Sequence, residues 1–145
     1  MRVTPIADYH QLYLAPAETF PVFDPAQADA LVQVAPDRRS LIIVTGIAMG
    51  PVTLDVDLVD PPGDDHEHAG TAGVDRTEQA IGALLIDEPL YLLAPTIDTG
   101  VPDPVFRPPH PGTYSFSITT LDRSRHYDHF VEEPVESYKI LFWAT

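Results

Sequence analysis

The densest set of chemically capable side chains is Asp64-Asp65-His66-Glu67-His68, two imidazoles and three carboxylates in five consecutive positions. On an extended segment the His66-x-His68 alternation sends both rings to one side, and zinc or a similar divalent ion accepts such ligands. Asp64, His66 and His68 are therefore the ligand set of a metal-binding alternative. His126 and His129, with Asp128 between them, would add to it only if the two loops met. Against this stands a plain hydrophilic loop whose histidines take up adventitious metal weakly, and no cofactor is expected.

Other chemistry finds less support. Asp55 and Asp57 share a strand face, but a general acid needs a carboxyl raised in pKa by burial, and the plainer reading is a solvated acidic face. The chain has no cysteine, and none of its five serines lies in a Gly-x-Ser-x-Gly turn. Neither Gly-x-x-x-x-Gly-Lys nor Gly-x-Gly-x-x-Gly occurs, so no phosphate-cradling loop is present. Binding rather than catalysis is the expectation.

The charge balance narrows what could be bound. Eight Lys plus Arg face 22 Asp plus Glu in 145 residues, a net charge of −14. A phosphate backbone is held by cations that displace its counterions, so direct binding of nucleic acid is disfavoured, and so is adsorption to anionic lipid. The charge is spread along the chain rather than gathered in a tail. Its local density is greatest over Asp55 to Asp75, where Asp55, Asp57, Asp64, Asp65 and Glu67 fall. Without cysteine there is no disulfide framework. No apolar run approaches the roughly 20 residues that span a bilayer, and the N-terminus lacks the pattern of a secretory signal. A cytoplasmic location is the default expectation.

These residues must be positioned by short elements, because 16 prolines and 8 glycines interrupt the chain. Pro51 to Asp60 alternates Val52, Leu54, Val56 and Leu58 with Thr53, Asp55 and Asp57, which predicts a strand with one apolar and one acidic face. Ser40 to Ile47 reads as a continuous β-branched run, as in a central strand covered on both faces. Gly46 to Pro51 supplies turn chemistry and predicts a hairpin between the two. Further strands are predicted over Ile6 to Leu14, Glu78 to Asp87, Leu90 to Ala94, Thr113 to Leu121 and Val135 to Trp143. A short helix over Pro25 to Val32 is expected, with Asp24 as its cap and Pro25 in its first turn. The loops are Asp60 to Asp75, the Pro-rich Asp98 to Gly112, and Asp122 to Pro134. The strand aromatics suit a core or cross-strand pairs. Tyr127 and Phe130 instead sit among charged loop residues, where exposed rings beside Arg123 and Arg125 would suit an interface. The fold class predicted is all-β: a single-domain antiparallel β-sandwich with one short helix.

The layout also resembles a known family. Tyr9-His10-Gln11 in the first strand, a short helical segment, a hairpin, the Gly112-Thr113-Tyr114 strand and the closing Glu136-Ser137-Tyr138-Lys139-Ile140 strand are similar to the competence protein J family. The similarity runs from about Tyr9 to Phe142. That resemblance implies a small β-sandwich-like protein, and its founding member inhibits a DNA-entry nuclease. The acidic Asp60 to Asp75 loop and the Pro-rich Asp98 to Gly112 loop depart from the family pattern.

Together these readings predict an acidic binding protein that caps a basic protein partner such as a nuclease or toxin. The contact residues expected are Asp55, Asp57, Asp64, Asp65, Glu67 and Tyr127. A small-ligand or divalent-metal module built on Asp64, His66 and His68 is the alternative, and acidity serving only solubility remains a third reading. A chelator is expected to leave the melting temperature unchanged, and a drop of several degrees would favour the metal site.

Overall fold

The structure, a computed structural model, describes residues 1–61 and 77–145. Eleven strands form two sheets: β1 (Arg2–Val3), β2 (Ile6–Asp8), β3 (Gln11–Ala15), β4 (Val32–Val34), β5 (Leu41–Val44), β6 (Met49–Pro51), β7 (Thr53–Leu58), β8 (Thr77–Ile86), β9 (Tyr91–Leu93), β10 (Gly112–Leu121) and β11 (Ser137–Ala144). Sheet one runs β1-β7-β11-β10-β8, and sheet two runs β4-β5-β3-β2-β6 with β9 also paired to β3.

Alternation of apolar and polar residues sets which face of sheet one is buried. Tyr114, Phe116 and Ile118 of β10, Tyr138, Ile140 and Phe142 of β11, and Leu54 and Val56 of β7 all point inward and are buried. They pack against Leu12 and Leu14 of β3 and Leu41 and Ile43 of β5 in one hydrophobic cluster. Phe142 lies near its centre, with ring centroids 4.5 Å from Phe106 and 6.2 Å from Phe116. Sheet two carries a second, smaller cluster on its outer face, where Tyr13, Ile42 and Val44 meet Phe23 and Leu93. All four residues of β5 are consequently buried, which accounts for the continuous run over Ser40 to Ile47.

The predicted all-β sandwich is what the chain forms, with several local corrections. The hairpin between Ser40–Ile47 and Pro51–Asp60 does not occur: β5 pairs with β3 and β4 in sheet two, whereas β7 pairs with β1 and β11 in sheet one. The intervening residues pass the β2–β3 turn and add Met49–Pro51 to sheet two beside β2, and the chain changes sheet at Val52. The Ile6–Leu14 segment is two strands, folded at Tyr9-His10 so that Asp8 pairs with Gln11. The expected helix shrinks to a single 3-10 turn, Pro25–Gln27, and Val32–Val34 joins sheet two as an edge strand. Its start is as expected, because the Asp24 side chain accepts from the Ala26 amide. Every strand pair is antiparallel except β7 with β11. Among the described residues no helix is long and apolar enough to cross a membrane.

Phe142→Ala removes a fully buried ring packed against Phe106 and Phe116 and is expected to cost about 3–5 kcal/mol of unfolding free energy. Urea denaturation measures it, and a loss below about 1 kcal/mol would show that this part of the core collapses around the cavity.

Candidate interaction surface

At one end of the sandwich the loop 122–134 folds back over the turn between β2 and β3 and over the segment Gly46-Ile47. Glu136 lies beneath this junction. It is 3% exposed, and its carboxylate accepts from the Gly46 amide at 2.9 Å and the Ile47 amide at 3.0 Å. The Tyr138 hydroxyl donates to the same carboxylate. Burial pushes the Glu136 carboxyl above its ordinary pKa, opposed by the Tyr138 hydrogen bond, the two amides and the Arg123 charge. Burial, then the Glu136 charge, pushes the Tyr138 phenol well up as well.

Arg123 closes the junction from above. Its guanidinium donates to the Val44 carbonyl at 2.7 Å, to Glu78 at 3.1 Å and to the Ala30 carbonyl at 3.3 Å, so one side chain joins both sheets. The fit is close enough that a Cβ on Gly46 would lie 1.5 Å from the Arg123 carbonyl oxygen. Only glycine fits there.

The outer layer is aromatic. Tyr9 (φ 53°) and His10 (φ 63°) both take the left-handed conformation that a two-residue hairpin turn requires. Asn-Gly is the usual solution, and here the turn projects two rings. The His10 ring has Nδ1 2.9 Å from the Thr45 carbonyl and Nε2 2.8 Å from Asp128 Oδ1, and its centroid is 5.3 Å from that of Tyr127. Asp128, itself at φ 64°, donates its amide to the Gly46 carbonyl at 2.7 Å, and the His129 carbonyl accepts from Ala48 at 2.9 Å. Phe130 forms an isolated bridge with Met49 at the edge of sheet two. Tyr9, Tyr127 and Phe130 are 67%, 65% and 78% exposed.

The residues expected at a contact face divide among three places. Tyr127 stands in the aromatic layer. Asp55 and Asp57 lie on β7, and both have partners within the chain: Asp55 is 2.9 Å from the Arg2 guanidinium and Asp57 is 2.9 Å from the amino group of Met1. The Arg2 hydrogen bond holds the Asp55 carboxyl below the ordinary carboxylate range. Asp64, Asp65, His66, Glu67 and His68 lie outside the described residues. The rings of His126 and His129 are 5.9 Å apart, centroid to centroid. Among the described residues no three His, Cys, Asp or Glu side chains converge to hold a metal ion.

Sequence reasoning missed Tyr9, His10, Arg123 and Glu136 as parts of one structure. Strand alternation set Tyr9 beside Tyr13, and Tyr-His carries no turn signal. Arg123 reads as a surface cation in the sequence, yet its side chain is only 13% exposed. Glu136, flanking a strand, gives no sign that two amides 90 residues away await it.

Glu136→Gln puts an amide NH2 against one of three donors, and is expected to lower stability at pH 7 by about 1–3 kcal/mol. The folded protein holds the Glu136 proton to higher pH than the unfolded chain does. The stabilisation from this group is thus complete below the ordinary carboxyl pKa and declines as pH rises through the raised, folded value. The penalty of Glu136→Gln should accordingly be larger at pH 4 than at pH 8, measured by denaturant titration at both; a penalty growing with pH would contradict the raised value.

No family model matches the chain, and no curated protein matches it. Among solved structures, the crystal structure of ComJ from Bacillus subtilis, an inhibitor of the DNA degrading activity of NucA, is similar over 100% of this chain and 96% of its own, with a TM-score of 0.57 and 11% identity. At that identity the likeness concerns architecture, and no residue role passes between the two proteins. The chain has a ComJ-like fold, as the resemblance to the competence protein J family implied.

Proposed function

We propose that this chain is an inhibitor that acts by binding, capping the basic cleft of a nuclease and blocking access of nucleic acid. The observation that carries the reading is the likeness in fold, over the whole chain, to a protein whose described role is to inhibit a nuclease. The net charge of −14 supports it physically. A nuclease must present cations to phosphate, and an acidic protein meets the same cations. Long-range attraction would bring the two together quickly and favour one orientation. The two buried carboxylates among the described residues both have partners within the fold: Asp8 accepts from the Thr96 hydroxyl, and Glu136 from two amides and a tyrosine.

The experiment is a DNA-degradation assay of NucA with increasing amounts of this protein, repeated across salt concentrations. Inhibition near equimolar ratio is expected, with association slowing at least about tenfold as salt rises from roughly 0.05 to 0.5 M and the screening length contracts. Absence of inhibition at every salt concentration would contradict the inhibitor role, and inhibition indifferent to salt would contradict electrostatic capping.

A further inference from the structure

Resting on the inhibitor reading, we propose that the partner docks on the aromatic end of the sandwich, with Tyr9, Tyr127 and Phe130 as the rings that receive the partner's arginine and lysine side chains. The assignment differs from the acidic β7 face and the Asp64–Glu67 segment that the sequence favours.

Three observations converge on this end. Exposed aromatic side chains are rare among the described residues: Tyr9, Phe20, Tyr127 and Phe130. Three of the four stand here. Of the six non-glycine residues with positive φ among the described residues, four (Tyr9, His10, Asp122 and Asp128) also lie here. Such backbone is costly and tends to be retained where a side chain must be presented in a set direction. The rings are carried on braced segments: the His10 ring bonds to Thr45 and Asp128, and the chain from Asp128 to Val131 bonds to Gly46, Ala48 and Met49. Little freedom is left to lose on binding, which favours affinity.

Charge selects the occupant. The segment 122–134 holds four carboxylates, Asp122, Asp128, Glu132 and Glu133, against Arg123 and Arg125. Arg123 is engaged within the fold, while Glu132 and Glu133 are exposed beside Phe130. Aromatic faces attract guanidinium and ammonium groups, and neighbouring carboxylates add to that attraction. A surface of this kind suits clustered Arg and Lys on a protein, the same groups that hold phosphate in a nuclease cleft. On β7, by contrast, Arg2 and the amino group of Met1 already occupy Asp55 and Asp57.

The turn supplies a test separable from folding. Asn tolerates the left-handed backbone better than Tyr does, so Tyr9→Asn removes a ring without straining the fold. Tyr9→Asn and the double variant Tyr127→Ser/Phe130→Ser would be compared with Asp55→Asn/Asp57→Asn as inhibitors of NucA, with each melting temperature recorded. Both ring variants are expected to raise the inhibition constant at least tenfold. Tyr9→Asn should match or exceed the wild-type melting temperature, and Asp55→Asn/Asp57→Asn should inhibit within twofold of wild type. Full inhibition by both ring variants beside an inhibitory wild type would overturn this docking face and leave the inhibitor role standing. A wild-type protein that neither inhibits nor binds NucA would overturn both.

Discussion

The buried carboxylate of Glu136, just ahead of β11 in sheet one, accepts hydrogen bonds from two consecutive amides where the chain leaves β5 of sheet two. Those amides would otherwise be buried donors without strand partners, and each such group left unmatched costs about 1–3 kcal/mol. With them held, Gly46 can lie directly under the Arg123 carbonyl, and Arg123 can reach Val44, Ala30 and Glu78. The loop 122–134 is thereby fixed to both sheets. Thr53 also donates to the Glu136 carbonyl, so the same residue ties the start of β7 to the start of β11 in that parallel pair.

A rigid end follows from this anchor. With the Gly46-Ile47 segment and the loop both held, His10 meets Asp128, and the Tyr127 ring lies tilted against the imidazole. Two ranges of electrostatics then operate. Net charge acts across distances of about a screening length, near 10 Å at 0.1 M salt, and under the proposed function would draw a basic partner from any side. Contacts at closer range depend on which carboxylates and rings are available. Asp55 is engaged by Arg2 and Asp87 by Arg39, so these acids contribute to the overall field more than to a specific contact.

Much of the sandwich was legible in the sequence because burial imposes a period of two. The alternations in β7, β10 and β11 point inward as read, and the unbroken apolar run of β5 correctly implied cover on both faces. Local signals failed where tertiary partners decide. Gly46 to Pro51 has turn composition and the chain does turn back there, but it passes the β2–β3 turn and returns in sheet two as Met49–Pro51 beside β2, so the strand that follows, β7, belongs to the other sheet. Pro25 and Asp24 do start a helical turn, yet Val32 to Val34 gain more from pairing with β5 than from extending it. Of the expected contact residues, Tyr127 was readable as an aromatic in a charged loop. Tyr9 and His10 were not, since their turn conformation is set by the pairing of Asp8 with Gln11 rather than by their own propensities.

Hydrogen–deuterium exchange of this chain, alone and with excess NucA, tests most directly whether the braced aromatic end meets the partner. The expected result is new protection at residues 9–10 and 126–131 on complex formation, with β7 and β1 unchanged. Protection confined to residues 2–3 and 53–58, with the aromatic end still exchanging as in the free protein, would contradict it.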